Sequence, residues 1–474
     1  MKKHPSVTLL VSMAAVLVLL LSLPLSNVRA EAFEPEGETE TMYVTNCESW
    51  VSLRRLPDTG SERIMTVPLG ARVEGRYYNE DFSECVYQGE KGYILSCYLA
   101  REGSGNDEPA SDIQTSGEMI VLPNVNEYLT LRDASGGTIT TMPPGERMLV
   151  LGWDGVSCRV QRLSTGETGY VHSAYIQAEK LDRARWPYDY AALQEDVSSL
   201  SEHEHMETET LAETADGRDV VVFRYGSEAA AHHILIQCAM HAREIMTSRL
   251  GSDLLRMLIE DYPDGIDDVC VHIVPLTNPD GQTIALYGAD AIRNETLAQR
   301  IRQWIGYGNH ADWKANARGV DLNRNFDAGW EDLPVRTPGS ERYRGEAPHC
   351  EAESKALVEY MDRFPFDCTI SIHSYGSLIY WLGAEGELRE RSRSLADTVS
   401  AVTGYQPVAS ESNVEKGGFK DWAVEKAGIP SLTIEIGALD AMGSLEEYSG
   451  IALRFRQFIP ALVEWIGKDG GRPQ

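Results

Sequence analysis

The C-terminal part of the chain alternates short apolar runs with longer stretches of helical periodicity. Five runs rich in β-branched residues are predicted to be buried strands, at 220–223, 233–236, 271–275, 369–372 and 431–434. Helices are predicted at 188–200 and 248–260, where apolar residues recur every three or four positions. This alternation predicts an α/β domain with a mixed, largely parallel sheet and helices on both faces.

Two segments in the N-terminal part repeat each other. An alternating strand ends in Leu-Arg at 53–54 and again at 131–132, and the pattern Gly-Tyr-x-x-Ser-x-Tyr occurs at 92–98 and 169–175. Because these features have nearly the same spacing in both segments, internal duplication is the simplest explanation. Short strands separated by Gly, Pro and Asp predict two small all-β barrels that precede the α/β domain.

The N-terminus has the features of a secretory signal. Basic residues near position 1 precede an apolar run at 7–25, and Val28-Arg29-Ala30 has the small residues of a cleavage site. We therefore predict cleavage near Glu31 and a secreted or cell-wall-associated protein. An uncleaved N-terminal membrane anchor is the alternative, because the apolar run is nearly long enough to span a bilayer.

These patterns divide the chain into six predicted segments. They are a signal peptide (1–30), an acidic spacer (31–41), a first barrel (42–101), a polar linker (102–116), a second barrel (117–178) and the α/β domain (183–468). The spacer and the linker have the polar composition of flexible chain.

The chain is acidic, since its 474 residues carry a formal net charge of −29. Simple electrostatics therefore argues against nucleic acid or anionic lipid as a partner. The 8 cysteines show no Cys-x-x-Cys spacing, which argues against a zinc ribbon or a thioredoxin-like motif. Cys47, Cys85 and Cys97 are close enough in sequence for a disulfide after export, and buried free thiols are the alternative.

Four residues with metal-binding or acid–base side chains lie near the ends of predicted strands. His241 and Glu244 are three positions apart, so one helical turn would place both on the same face. His373 and Glu435 end two other apolar runs. Each alone could be an ordinary strand-end residue, but together they supply three metal ligands and one base. The set predicts a zinc site that activates water.

An adjacent Asn and Arg, at positions 323 and 324, accompany this set. Such a pair can bind a carboxylate through planar, multidentate hydrogen bonds. Asn323 and Arg324 therefore indicate a substrate with a free carboxylate.

The motifs around these residues occur in a characteristic order. They are His241-x-x-Glu244, Asn278-Pro-Asp-Gly281, Val320-Asp-Leu-Asn-Arg-Asn-Phe326, Ser371-Ile-His-Ser-Tyr375 and Thr433-Ile-Glu435. Together they resemble the motifs of the zinc carboxypeptidases related to pancreatic carboxypeptidase A, over about residues 183–468.

The resemblance implies a role for each candidate residue. One zinc ion per chain would be bound by His241, Glu244 and His373, and Glu435 would be the general base and then the acid. Asn323 and Arg324 would hold the terminal carboxylate of a peptide substrate. Arg243 would also contact substrate, and Asp321 would orient His241.

Two positions depart from the pancreatic pattern, and a third residue occupies the position that sets specificity in the family. Lys314 replaces an arginine; it can stabilise an oxyanion as a point charge, and it resembles a bacterial subgroup that cleaves cell-wall peptides between γ-D-glutamate and the diamino acid. Asn413 replaces a mobile tyrosine, so that role stays unassigned. Lys420 occupies the position that sets side-chain specificity, where a cation favours an acidic side chain; a solvated lysine at a helix start is the alternative.

The two barrels resemble bacterial SH3-like domains, which often hold exported enzymes on peptidoglycan, although they could also be spacers without a ligand. We therefore predict an exported zinc metallopeptidase that cleaves peptidoglycan stem peptides near a free carboxylate. A secreted carboxypeptidase that scavenges ordinary peptides is the first alternative. A non-catalytic wall-binding protein is the second, and the complete set of catalytic residues argues against it.

Overall fold

The structure is a computed structural model that describes most of the chain between residues 40 and 470. The described ranges are 40–44, 50–57, 61–68, 71–77, 82–95, 99–101, 120–123, 125, 128–134, 136–153, 157–179, 185–383, 385–408, 416–437 and 440–470. The predicted signal peptide and linker, nearly all of the acidic spacer, Asn413, Cys47 and Cys97 lie outside these ranges. Within them, Cys85 is a buried free thiol, and we find no helix with the length and apolarity needed to span a membrane.

Two all-β units, repeat 1 (residues 40–101) and repeat 2 (residues 120–179), share one topology. Repeat 1 contains β1 (Glu40–Val44), β2 (Trp50–Arg54), β3 (Arg63–Pro68), β4 (Arg72–Tyr77), β5 (Phe82–Tyr87), β6 (Glu90–Leu95) and β7 (Leu99–Arg101). Repeat 2 contains β8 (Ile120–Pro123), β9 (Leu129–Arg132), β10 (Thr138–Met142), β11 (Met148–Trp153), β12 (Ser157–Arg162), β13 (Thr168–His172) and β14 (Ile176–Ala178). The orders β3-β2-β6-β5-β4-β1-β7 and β10-β9-β13-β12-β11-β8-β14 correspond strand by strand. This correspondence supports the predicted duplication, while the SH3-like assignment stays a prediction.

One glycine occupies the same place in each repeat. A Cβ atom at Gly92 would lie 2.6 Å from the carbonyl oxygen of Arg54, and one at Gly169 would lie 2.6 Å from that of Arg132. Real Cβ atoms do not approach backbone this closely, so both positions need glycine.

The α/β unit is built on an eight-stranded sheet. Its strands are β15 (Met206–Glu213), β16 (Asp219–Tyr225), β17 (His232–Cys238), β18 (Val269–Val274), β19 (Phe366–Ser374), β20 (Leu378–Tyr380), β21 (Gln406–Val408) and β22 (Ser431–Ile436). The order is β15-β16-β18-β17-β19-β22-β20-β21, and the four central strands β18, β17, β19 and β22 are mutually parallel. Each of the five predicted buried strands is present, so the mixed, largely parallel sheet is confirmed.

Helices cover both faces of this sheet, as predicted. They are α1 (Tyr190–Leu200), α2 (Ile245–Asp261), α3 (Pro279–Tyr287), α4 (Glu295–Ile305), α5 (Ala352–Met361), α6 (Gly386–Thr403), α7 (Phe419–Glu425), α8 (Leu445–Arg454) and α9 (Phe458–Trp465). Ile234 and Ile236 of β17 pack in a core with α2, α6 and α9, while Leu235 between them faces a second core with α5 and α7. Because side chains alternate along the strand, β17 contributes residues to both cores.

Replacing Gly169 by alanine is expected to destabilise repeat 2 by about 1–3 kcal/mol, because the added methyl group meets the Arg132 carbonyl. Thermal unfolding followed by circular dichroism measures the change. The matched control is Gly467→Ala, where the methyl group meets no described atom within 4 Å. Equal melting temperatures for the two variants would contradict the close strand packing.

Candidate metal centre

The first two candidate ligands lie in a turn between β17 and α2. Glu244 precedes α2 directly, and its N–H donates a hydrogen bond to the carbonyl of His241 over 3.2 Å. The spacing predicts a helical turn here, and in that detail the prediction is wrong, since Glu244 has non-helical φ −88° and ψ 58°. The turn nevertheless brings the two side chains together, because its hydrogen bond also joins residues three positions apart.

The third candidate ligand comes from the neighbouring strand. His373 lies in β19, which runs parallel to β17. Its Nδ1 is 3.0 Å from Nδ1 of His241 and 3.0 Å from Oε2 of Glu244, whose Oε1 is 2.7 Å from Nδ1 of His241. The structure therefore brings the three predicted ligands into one buried group.

The donor atoms of this group fit a zinc ion. Nε2 of His241 lies 3.1 Å from Oδ1 of Asp321, which identifies Nε2 as the protonated nitrogen and turns the lone pair of Nδ1 toward His373. Ligand atoms around tetrahedral zinc are separated by about 3.3 Å, given metal–ligand distances of about 2.0–2.1 Å. The separations of 2.7 to 3.0 Å are only slightly shorter.

The charges of the group also favour a cation. Burial alone would raise the pKa of Glu244, but the two imidazoles outweigh it and hold that pKa well below its usual value. Burial likewise opposes protonation of His373, yet Glu244 raises its pKa. An ionised carboxylate therefore sits among the donors and attracts positive charge.

Glu435 is the next residue in this arrangement. It lies in β22, the parallel neighbour of β19, and its register partner is His373. Burial raises the pKa of Glu435 to about 7, although the charges of His373 and Lys314 act in the opposite direction. A carboxyl group with a pKa in this range can both accept and release a proton near neutral pH.

Lys314 places a cation beside the ligands. Its Nζ is 3.5 Å from Oδ2 of Asp321, and its side chain is 18% exposed. Its carbonyl accepts the N–H of Ala242 over 3.0 Å, which ties this segment to the residue after His241. Despite burial, Lys314 and His241 keep the pKa of Asp321 well below its usual value, so Asp321 stays ionised.

The predicted carboxylate-binding pair lies next to this cluster. Asn323 donates its N–H to Oδ1 of Asp321 over 3.1 Å and accepts the N–H of Phe419 over 3.1 Å. Arg324 donates to the Asn323 carbonyl over 2.6 Å, and its positive charge opposes the rise in the pKa of Glu435. Arg243, between the two ligands of the turn, donates to the carbonyl of Asp312 over 3.2 Å.

Lys420 differs from one of its two predictions. It is 5% exposed, and its Nζ donates to the Leu382 carbonyl over 2.7 Å and lies 3.0 Å from Oδ1 of Asp421. The alternative of a solvated lysine is therefore wrong. It follows Phe419, which binds Asn323, so Lys420 lies near the carboxylate-binding pair.

A second buried His/Cys group was not foreseen from the sequence. His233 of β17 and His272 and Cys270 of β18 have donor atoms close enough to share an ion. However, Nδ1 of His233 is 2.9 Å from Nε2 of His272, Nε2 of His233 is 2.9 Å from the Ala230 carbonyl, and Nδ1 of His272 is 2.7 Å from the Tyr360 hydroxyl. This chain of hydrogen bonds satisfies the ring nitrogens without a metal, so we assign the group to the core.

The α/β sheet, with a His/Glu ligand group at the carboxyl ends of its central strands, is that of a zinc-dependent hydrolase. Residues 195–460, more than half of the chain, match the family described as zinc carboxypeptidase. The chain belongs to this family, which confirms the predicted class and the zinc cofactor.

Individual relatives agree with this assignment. The chain is 28% identical over 267 residues to the γ-D-glutamyl-L-diamino acid endopeptidase 1 of Lysinibacillus sphaericus, an alignment that covers 53% of this chain and 66% of that protein. It is 24% identical over 294 residues to carboxypeptidase B of Rattus norvegicus, which covers 57% of this chain and 65% of the relative. The chain thus spans just under two thirds of the length of both proteins. Among solved structures, carboxypeptidase A of Helicoverpa armigera matches with a TM-score of 0.49 and 17% identity, over 59% of this chain and 74% of that one.

Replacing Asp321 by asparagine is expected to weaken zinc binding about 10- to 100-fold, because the amide no longer offers a charged acceptor to Nε2–H of His241. Competition with a chelator measures the zinc dissociation constant. Asp290→Asn, at a side chain that is 86% exposed, is the control and should leave zinc affinity unchanged. Unaltered affinity in Asp321→Asn would refute the orienting role.

Proposed function

We propose that this protein is an exported zinc metallopeptidase that hydrolyses peptidoglycan stem peptides near a free carboxylate. The observation that carries the peptidase activity is the position of Glu435, a half-buried carboxyl group in register with His373 of the ligand group. A base next to the three metal ligands can accept a proton from a water molecule held by the same ion.

The residues of the site support the following roles. Zinc bound by His241, Glu244 and His373 would polarise a water molecule and lower its pKa. Glu435 accepts a proton from that water as its oxygen adds to the peptide carbonyl carbon. When the C–N bond breaks, Glu435 delivers the proton to the leaving nitrogen.

Two cations have complementary tasks in this proposal. Lys314, beside Asp321, faces the negative charge that develops on the carbonyl oxygen, and it acts as a point charge rather than as a planar fork. Arg324, which is held against Asn323, binds the free carboxylate of the substrate. Arg243 adds a further substrate contact next to the metal ligands.

Three observations support a cell-wall substrate and export. The L. sphaericus relative is by name an endopeptidase for a γ-D-glutamyl-diamino acid bond. The N-terminal sequence has the order of a signal peptide, and two duplicated β units precede the peptidase. Binding of these units to peptidoglycan belongs to the same proposal.

A secreted carboxypeptidase that acts on ordinary peptides is the second candidate. The retained Asn323-Arg324 pair and the similarity to carboxypeptidase B favour it. In either case Lys420, which is buried beside Asp421, would contribute to the preference for the side chain of the substrate.

Replacing Glu435 by glutamine is expected to retain about one zinc per chain and to lower kcat about 10²- to 10⁴-fold, because the amide cannot accept the proton of the water. Metal analysis and steady-state hydrolysis measure the two effects. Glu359→Gln on the exposed face of α5 serves as the control. Full activity in Glu435→Gln would rule out this mechanism.

Substrate class is tested by comparing a stem tripeptide, L-Ala-γ-D-Glu-diaminopimelate, with ordinary peptides ending in Leu, Glu or Lys. We expect faster cleavage of the γ-D-Glu bond, detected by mass spectrometry of the products. Amidation of the terminal carboxylate should slow the wild-type enzyme but have little effect on Arg324→Met, which has already lost the guanidinium. If the tripeptide stays intact while ordinary peptides are cleaved, the second candidate replaces the first.

A further inference from the structure

Repeat 2 is docked on the peptidase unit through helix α8. Gly450 of α8 faces repeat 2, and a Cβ atom there would lie 3.2 Å from the carbonyl oxygen of Ile176. Leu453, one turn further along, packs against the apolar core of repeat 2. The backbone of α8 therefore packs closely against the backbone of repeat 2. Two units joined only by a flexible linker would not need such packing.

The end of α8 places a buried cation, bound within the peptidase unit, beside this interface. Arg454 is 6% exposed and donates to the Thr403 carbonyl over 2.9 Å. Burial, together with the nearby charge of Arg454, lowers the pKa of His172 of repeat 2 to about 3. His172 is therefore neutral, so the buried guanidinium does not meet a second positive charge across the interface.

The segment that leads into α8 contacts both elements that carry the metal ligands. Ser374, the residue after His373, donates its hydroxyl to the Ala441 carbonyl over 2.7 Å. Gly443 lies against Met246, two residues after Glu244, so closely that a Cβ atom would overlap the Met246 side chain. Side-chain contacts thus run from Ser374, next to His373, and from Met246, at the start of α2, to the backbone of residues 441–443.

Helix α8 itself extends these contacts. Ser444 caps the helix by accepting the N–H of Glu447 over 3.1 Å, and the Tyr448 hydroxyl donates to Asp253 of α2 over 2.5 Å. One rigid element therefore has repeat 2 on one side and the ligand-bearing elements on the other.

We propose that repeat 2 is a permanent part of the peptidase unit that positions the metal ligands through α8 and residues 440–444. Its docking holds α8 in place, α8 holds the loop, and the loop fixes His373 and the turn of Glu244. This role is distinct from binding the cell wall. It rests on the proposed function only for the activity readout.

The test uses the full chain with Gly450→Gln, which inserts a long side chain between α8 and Ile176. We expect undocking of repeat 2, seen as an earlier thermal transition and faster proteolysis between the units. We also expect kcat to fall about tenfold or more with little change in KM, since small displacements of catalytic groups are costly. The matched control is Gly467→Gln, because no described atom lies within 4 Å of a Cβ atom added at that position.

A spectroscopic readout separates positioning from stability. The visible absorption of the cobalt(II)-substituted protein reports ligand geometry without any substrate, so it remains informative even if the proposed substrate is wrong. We expect the bands to shift in Gly450→Gln and, more weakly, in Leu453→Ala, which removes apolar contact without inserting bulk and tests the same interface if the first variant does not fold.

Two results would overturn the proposal. One is undocking of repeat 2 with unchanged cobalt bands and unchanged kcat, which would make the interface merely structural. The other is unaltered thermal unfolding and proteolysis in both interface variants, which would show that the docking itself is absent.

Discussion

The site depends on two buried imidazole nitrogens that face each other. Nδ1 of His241 and of His373 are 3.0 Å apart, and the outward nitrogen of His241 is engaged by Asp321. Without a metal ion, one of these nitrogens must carry a proton to bridge the pair, and the raised pKa of His373 favours that proton. A zinc ion would take the place of this proton. Glu244 adds the negative charge that attracts such a cation. The chemistry of the domain therefore follows from a buried group that needs a cation at its centre, either a proton or a metal ion.

The register of three parallel strands produces this arrangement. β17 leads to the turn of His241, β19 carries His373, and β22 places Glu435 opposite His373. Because side chains alternate across a sheet, a slip of one residue in β22 would turn Glu435 to the opposite face. The base is thus positioned by backbone hydrogen bonds of the core rather than by a mobile loop. This explains how a half-buried carboxyl group in a core strand lies beside the metal ligands.

Much of this arrangement could be predicted from local sequence. Apolar, β-branched runs identified the buried strands, because parallel central strands are apolar on both faces. The edge strand β15, Met206–Glu213, is mostly polar and has neither an apolar run nor a regular alternation, so its sequence alone did not reveal it. The spacing of His241 and Glu244 indicated their shared side but not the non-helical turn. The burial of Lys420 and the pairing of His233 with His272 depend on contacts between distant segments, which a local pattern does not contain.

The two repeats show how duplicated units with one topology come to differ in use. Both keep the glycine that allows close strand contact, yet repeat 1 has Leu95 where repeat 2 has His172. In repeat 2 the residues that follow, Ser173–Tyr175 and β14, lie against α8, and a surface covered by α8 is not open to an external ligand. This face of repeat 2 is therefore not free to bind an external ligand. Repeat 2 instead uses this face for the contact that joins it to the peptidase unit.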